Sequence, residues 1–320
     1  MPRNLYIMMA DRRKKMDWVI GIQKAINYIE EHLTEEIDYE EVAAQSFSSG
    51  FHFQRVFSIL CGFTLGEYIR NRRLSQAGAE LTGQDVKVID VALKYGYESP
   101  DSFAKAFQKF HGVTPSEAKR DGCKLKSFSR LNLKITLKGG SEMNYRIEEK
   151  ESMILTGYKK RFTGVPYGKE REQQEGNFFV TTRAKQWLLR GAGFEAWEID
   201  FCVVNNMDDE GYDFYIAYKL NEWTREHLYD KEVTGVDFMD ELGFENIIIP
   251  KQTYVVFETT HQKYPMEEYG DIRERLVSEW LPGSGYEFSE GPELALVHWR
   301  TGEQKDQRFV EIWIPVKKVK

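Results

Sequence analysis

Phe53, Phe57, Gly62 and Thr64 recur fifty residues later as Phe103, Phe107, Gly112 and Thr114, and Val42-Ala43 recurs as Val91-Ala92. Self-similarity at a fixed interval marks one supersecondary unit used twice. The front of this chain therefore has to fold as a pair of like modules. The second copy, Val88 to Pro115, reads most clearly as two short helices around a tight turn. Ile89, Val91, Ala92 and Tyr95 give the first helix an apolar face, and Gly96 can take the positive φ that stops it. Ser99 is placed to cap the next helix with Pro100 at its first position, where a missing N–H costs nothing. Phe103, Ala106, Phe107 and Phe110 then repeat at the spacing of a helix pressed on a core, until Gly112 and Pro115 end it. Its other face carries Asp101, Ser102, Ala104, Lys105 and Gln108, small and polar, as suits a helix-turn-helix that enters the DNA major groove. The plainer alternative is an ordinary hairpin of helices.

Between the copies, Gly66 to Leu81 reads as one helix with Tyr68, Ile69, Leu74, Ala77 and Leu81 inward. It spans roughly 25 Å, a rigid spacer that can hold two reading helices about one DNA turn, roughly 34 Å, apart. Asp17 to Leu33 is a further amphipathic helix with Ile20, Ile22, Ala25, Ile26, Ile29 and Leu33 inward. Asp38 to Gln45 and Ser49 or Gly50 to Leu60 are the two helices of the first copy. The run EYIRNRRLSQAGAEL followed by IDVALKYGYESPDSFAKAFQKFHGVTPSEAKR resembles the AraC/XylS type of bacterial transcription regulator over residues 17–120. One departure is Phe47, where the family usually has Gly, so the turn from Ser46 to Ser49 is expected to be built differently.

Charge divides the chain. Residues 1–140 hold 21 Lys and Arg against 17 Asp and Glu, and residues 141–320 hold 23 against 34, which together give the net −7. The mildly basic front supplies salt-dependent phosphate attraction; the acidic back is a poor DNA surface and a reasonable host for a cationic ligand. Cys61, Cys123 and Cys202 have no pattern, which fits a reducing cytoplasm and argues against disulfides or a zinc site, and the six histidines lack metal-ligand spacing. No apolar run approaches the ~20 residues a bilayer requires, and the charged N-terminus does not read as a signal peptide. No membrane partner, metal or cofactor is expected. Residues 1–16 read as a tail, with Met16 a candidate start.

Residues 121–141 read as a polar linker and a first hairpin strand, because from Phe128 the apolar period changes to two: Leu131, Leu133, Ile135 and Leu137 alternate with polar residues, and Met143 to Glu148 answers after Gly139-Gly140. Met153 to Phe162 is a strand, Asn177 to Arg190 a helix, and Trp197 to Val204 and Tyr212 to Leu220 strands. Thr253 to Thr260, Met266 to Leu281, Glu293 to Trp299 and Phe309 to Val316 repeat that order, with Trp187 and Trp280 in like places and DFYIA at 213–217 matching EIWIP at 311–315. The expected architecture is multi-domain: an all-α double helix-turn-helix domain (17–120) followed by an α+β domain (142–320) made of two strand-helix-strand-strand repeats. This arrangement, with WLPGSGYEFSEGPELAL and VEIWIPVKK near the end, resembles the GyrI-like (gyrase-inhibitor-like) effector-binding domain. The resemblance implies a ligand-sensing module, which in relatives binds bulky, often cationic or aromatic molecules; some stand-alone relatives are hydrolases of reactive small molecules.

For DNA, the first reading helix presents Ser49, Gly50, Phe51, His52, Gln54 and Arg55, and the second presents Asp101, Ser102, Ala104 and Lys105. Arg55 can bond guanine in a bidentate manner, Gln54 suits adenine and Phe51 a thymine methyl. The resemblance places the base readers of the first unit at Phe51, Gln54 and Arg55. Arg70, Arg72, Arg73, Lys109 and Lys119 are candidates for phosphates, which position the protein without specifying sequence. For the ligand, alternation puts Val310, Ile312 and Ile314 on one face of the last strand and Glu311 and Trp313 on the other, with Asp213 and Tyr215 on the matching strand. An acid among aromatic rings holds an organic cation by charge and cation–π attraction. Burial there is expected to raise the pKa of Glu311, so an acid–base role in hydrolysis stays open. Glu258 and Glu293 are second choices, and Trp197 is a further aromatic candidate. No Ser–His–Asp grouping, phosphate-cradling loop or CxxC pair is evident, and no catalytic residue is assigned.

The expected function is a cytoplasmic regulator whose partners are double-stranded DNA and a small organic effector, with RNA polymerase a further candidate. Two alternatives remain at this point: a C-terminal hydrolase, and a C-terminal protein-interaction module for a partner such as polymerase or gyrase.

Overall fold

The computed structural model describes residues 20–46, 48–83, 86–132, 142–167, 169–192, 199–228, 232, 235, 238–300 and 302–319. They form two compact units, one helical (within 20–132) and one strand-rich (from 142).

In the helical unit, α1 (20–31) turns Ile22, Ala25, Ile26 and Ile29 into the core. Ile20, expected inward, is exposed, and residues 17–19 lie outside the described residues. The first copy of the repeat is α2 (Tyr39–Ala44) and α3 (Gly50–Cys61), and the second is α5 (Val88–Lys94) and α6 (Pro100–His111). The spacer α4 (Leu65–Gly83) runs between them, and α7 (Pro115–Ala118) follows. Capping chemistry sets these boundaries. Asp38 Oδ1 accepts the Glu40 N–H at 2.8 Å, Ser99 Oγ accepts the Ser102 N–H at 3.2 Å, and Thr114 and Glu117 form a reciprocal capping box. Gly96 and Gly112 stand at φ +81° and +84°, the left-handed conformation that closes a helix. Leu74, Ala77 and Leu81 of α4 pack with Val91, Ala92, Tyr95, Phe103, Phe107 and Ala118, so the apolar stripes of the second copy meet the spacer as expected. Ile89 departs from that stripe and is 46% exposed.

Residues 121–132, expected as a loose linker and the start of a strand, lie along α4 without strand structure. The Phe128 ring packs against Phe63 and Tyr68, with centroids 5.7 and 6.0 Å away. Its N–H donates to Ser75 Oγ (3.1 Å), Arg72 Nη1 donates to its carbonyl (2.5 Å), and the Leu131 N–H donates to the Tyr68 hydroxyl (3.2 Å). Side chains of α4 thus satisfy the backbone that a hairpin partner would have served. The rest of the expected strand, 133–141, lies outside the described residues.

The strand-rich unit contains β1 (Tyr145–Lys150), β2 (Met153–Thr163), α8 (Lys169–Thr181), α9 (Arg183–Ala192), β3 (Ile199–Asn205) and β4 (Gly211–Tyr218). Then come α10 (Glu222–Leu228), α11 (Phe238–Leu242), β5 (Glu245–Ile249) and β6 (Gln252–Glu258). A 3-10 turn (Pro265–Glu268) leads into α12 (Tyr269–Arg275), a π turn (Leu276–Trp280) and α13 (Leu281–Ser284). The chain ends with β7 (Tyr286–Phe288), β8 (Glu293–His298) and β9 (Phe309–Lys318). All pairings are antiparallel, and the strand order is β1-β6-β9-β8-β3-β4-β2-β5, with β7 also on β9.

That order is a palindrome about the β8–β3 seam. Outward from the seam on each side lie the second, last and first strands of one repeat, and then a strand outside the repeat. The internal repeat of the sequence is therefore a pseudo-two-fold in the sheet. Two strands, β5 and β7, were not anticipated, nor were α10 and α11, and β1, expected as Met143 to Glu148, runs from Tyr145 to Lys150. The expected single helix Asn177–Arg190 is two helices broken at Thr182, whose hydroxyl bonds back to the Phe178 carbonyl at 2.6 Å. Trp187 and Trp280 differ: Trp187 is 67% exposed, while Trp280 packs on Tyr145, Phe257 and Tyr286.

Alternation gives the sheet two faces. One holds Val310, Ile312 and Ile314, with Phe162 and Phe214 beneath Phe178 of α8. The other gathers Leu155, Phe201, Val203, Tyr215, Tyr254, Val256, Leu294 and Trp313 into one apolar cluster.

Candidate functional sites on the reading helices and the ligand face

Helix α6 leaves Asp101, Ser102, Lys105, Gln108 and Lys109 exposed and Ala104 half-buried, while Phe103 and Phe107 are fully buried. Its amphipathic geometry thus puts Asp101, Ser102 and Lys105 in the open and Ala104 only partly so. Helix α3 is different. Ser49, Phe51 and Gln54 are half-buried, but His52 and Arg55 are only 6% and 4% exposed. The Arg55 guanidinium carbon stands 5.9 Å from the centre of the Phe51 ring, so Arg55 does not lie on an open polar face as expected. Gly50, also expected toward DNA, is buried, and its N–H donates to Glu40 Oε2 at 3.0 Å. A Cβ at that position would lie 2.2 Å from Glu40 Oε1, so Gly50 is a packing glycine.

Two phosphate candidates are structural ties. Arg72 grips Glu30 through Nε (2.9 Å) and Nη2 (2.7 Å), and Tyr68 donates to the same carboxylate at 2.7 Å. Burial works to raise the Glu30 carboxyl, but these donors hold it below its ordinary value. Arg73 donates to the carbonyls of Leu33 and Glu35. Lys119 reaches the Val86 carbonyl at 2.9 Å, whereas Arg70 and Lys109 are exposed.

On the sheet, register decides which ligand candidates meet. Glu311 and Trp313 stand opposite Leu296 and Leu294 on β8, and opposite Glu258 and Val256 on β6. Tyr215 and Asp213 stand opposite Val203 and Asn205 on β3, on the same face across the seam. Glu258 therefore belongs to this face, but its carboxylate is 40% exposed and is bonded by His261 at 2.9 Å. Glu293 does not belong to it. Paired with Val204, it points to the helical side, where it is 1% exposed, ion-paired to Arg273 at 2.6 Å and hydrogen-bonded by Tyr167 at 3.1 Å. A one-residue step along a strand reverses the face, and Glu293 is an odd number of steps from Leu294 and Leu296. Trp197 lies outside the described residues.

The acids of this face are already paired. Glu311 Oε1 accepts from Arg146 Nη2 at 2.6 Å, Oε2 accepts from Trp313 Nε1 at 3.2 Å, and His298 Nε2 is 3.5 Å away. Arg146 lies on β1 opposite Val256, two strands from Glu311. Its guanidinium carbon is also 5.4 Å from the Trp313 ring centre, and Lys150 Nζ is 4.8 Å from it. Burial alone would raise the Glu311 carboxyl, as expected from sequence, but His298, Arg146 and Trp313 outweigh it and bring the pKa down to about 2. The other repeat mirrors this. Asp213 accepts from Asn206 at 2.9 Å and lies 3.5 Å from Arg161 and 3.9 Å from Lys159, whose ammonium is 5.4 Å from the Tyr215 ring centre. Acid and ring thus occur twice, once per repeat, each with an internal cation beside it. The cations were missed at the sequence level, although R-x-E-x-K at 146–150 and K-x-R at 159–161 alternate with the period of strands facing the same side.

Among the described residues, no group of three or more His, Cys, Asp or Glu could hold a metal ion, and no helix is long and apolar enough to cross a membrane.

Comparison with known proteins divides the chain at the same place. Residues 42–121 match a helix-turn-helix domain family, and residues 143–317 match the family of GyrI-like small molecule binding domains. The HTH-type transcriptional activator AarP of Providencia stuartii is 42% identical over 95 residues, 30% of this chain and 70% of that protein. The regulatory protein SoxS of Salmonella typhimurium is 38% identical over 96 residues, 30% of this chain and 90% of that protein. A solved structure of SAV2435 bound to tetraphenylphosphonium is 16% identical and covers 55% of this chain and 94% of that one, with a TM-score of 0.40.

Proposed function

We infer, for a chain that belongs to the AraC/XylS-type transcription regulators and carries a GyrI-like small-molecule-binding domain, that its effector is an organic molecule bearing an aromatic, cationic group, received on the Trp313–Glu311 face. The observation that carries this reading is the twofold recurrence of an acid, an aromatic ring and a cation on one sheet face. That chemistry favours aromatic and charged partners together. On the DNA side, the exposed row Asp101, Ser102 and Lys105 of α6 and the side chains of Phe51 and Gln54 on α3 are the base readers, Arg70 and Lys109 face phosphates, and Arg55 joins them when it leaves Phe51.

Proton donation by Glu311 is disfavoured. A general acid needs a carboxyl poised near the working pH, and Glu311 is held at about 2. The test is a promoter fragment titrated with the full chain at several salt concentrations, with and without a planar organic cation, while the cation is followed by mass spectrometry. A cation-dependent shift in DNA affinity with the compound recovered intact supports the reading. A DNA affinity indifferent to every organic cation tried overturns the choice of effector, and a cleaved compound replaces the sensor with a hydrolase.

A further inference from the structure

The rings of the ligand face are covered as the chain stands: Trp313 is 3% and Tyr215 5% exposed. What lies over Trp313 on the β1 side is the chain's own cationic pair, Arg146 and Lys150. Arg146 makes both contacts that an organic cation would make there, the ion pair to Glu311 and the approach to the indole face. Yet it is not locked in. Its side chain is 43% exposed, against 13% for Glu311, and β1 is an edge strand held on one side only, by β6. A guanidinium with that much solvent contact can swing out, whereas Glu311, Trp313 and His298 belong to interior strands and stay.

We propose that Arg146 is a tethered competitor and the specificity-determining residue of the effector site: an organic cation binds by displacing the Arg146 guanidinium from Glu311 and Trp313. The proposal rests on the effector reading given above. It makes selectivity a matter of exchange. A ligand must offer a cation broad and apolar enough to outdo a covalently attached guanidinium on the same ring, so small hydrated cations are rejected and large delocalised ones admitted. Glu148 is placed to receive the displaced side chain, since its carboxylate already accepts from Arg146 Nε at 3.1 Å. The swing leaves Arg146 paired and lowers the cost of exchange.

The experiment is calorimetric titration of acridine orange into the full chain, without DNA, for wild type, Arg146→Gln, Glu311→Gln, Trp313→Ala and Lys251→Gln. Lys251 pairs with Glu149 and Glu151 at the strand turn and serves as a control for loss of any positive charge nearby. Displacement predicts that Arg146→Gln binds the dye roughly two- to fivefold more tightly, the scale of a part-exposed ion pair. Lys251→Gln should be unchanged, and Glu311→Gln should bind weakly whether or not Arg146 is also replaced. Arg146→Lys, which keeps the charge but not the fork, should fall between wild type and Arg146→Gln and carries the test if the glutamine variant melts early. Weaker or equal binding by Arg146→Gln, or equal tightening by Lys251→Gln, overturns the displacement. If Glu311→Gln and Trp313→Ala bind as wild type, the effector reading itself fails. If no variant binds the dye, both fail.

Discussion

Replacing Glu311 by Gln keeps the shape of the side chain and removes its charge, and the structure sets both the size and the sign of the result. The folded carboxyl lies at about 2 against an ordinary 4.5. At about 1.4 kcal/mol per unit, the charged form is favoured by about 3 kcal/mol, and solvent screening of the half-exposed Arg146 reduces this to about 2 kcal/mol. The folded value is depressed, so the stabilisation is complete above the unfolded value near 4.5 and is lost as pH falls from there toward 2. Glu311→Gln should therefore unfold with about 2 kcal/mol less stability than wild type at pH 7 and pH 5, and the gap should shrink to under half by pH 3. Urea is the denaturant of choice, because guanidinium salt would screen the pair. Tryptophan fluorescence is the probe, since six of the seven Trp follow residue 180. An acid buried without a partner would give the opposite sign, with the amide neutral or stabilising. A variant as stable as wild type at pH 7, or a gap that ignores pH down to 3, would refute the pairing argument.

Glu293→Gln should cost about 3 kcal/mol in the same assay, because it leaves Arg273 buried opposite a neutral amide; a loss under 1 kcal/mol would show that the pair is not the tie it looks to be. Gly50→Ala should push the Glu40 carboxylate off the start of α3 and lower helical stability by about 1 kcal/mol, read by far-ultraviolet circular dichroism on heating; an unchanged midpoint would count against Glu40 as the cap. Lys109→Ala should reduce the slope of log affinity against log salt by about 1 while discrimination between DNA sites is retained. A change in site preference would instead place Lys109 on a base.

Much of the fold was legible because short-range rules decide it. The fifty-residue repeat, the Ser99–Pro100 start of α6 and the Gly112 stop are local chemistry, and local chemistry survives into three dimensions. The strand alternation of VEIWIPV likewise separated Ile312 from Trp313 correctly. What failed depended on partners far off in sequence. Phe128 reads as a strand residue until Phe63, Tyr68 and Ser75 offer it a better seat. Glu293 looks like a spare acid until its register with Val204 turns it toward Arg273. Arg146 lies 165 positions from the Glu311 it neutralises, and no periodicity within either strand announces the pair.

The palindromic sheet accounts for where these long-range pairs fall. A duplicated strand-helix-strand-strand unit joined at β3–β8 puts equivalent strands at equal distances from the seam, so β4 and β9 carry their acids and rings as mates. Duplication alone would also give them the same basic partners, and it does not. Asp213 meets Lys159 and Arg161 from β2, the first strand of its own repeat, whereas Glu311 meets Arg146 from β1, a strand outside the repeat that is laid against β6. The inner strand β2 is held on both sides, by β4 and β5, while β1 is held by β6 alone. Two sites of like composition thus differ in how readily their internal cation can leave. The half built on Trp313 has the larger ring and the guard on an edge strand, and on physical grounds it is the half that an effector should open first.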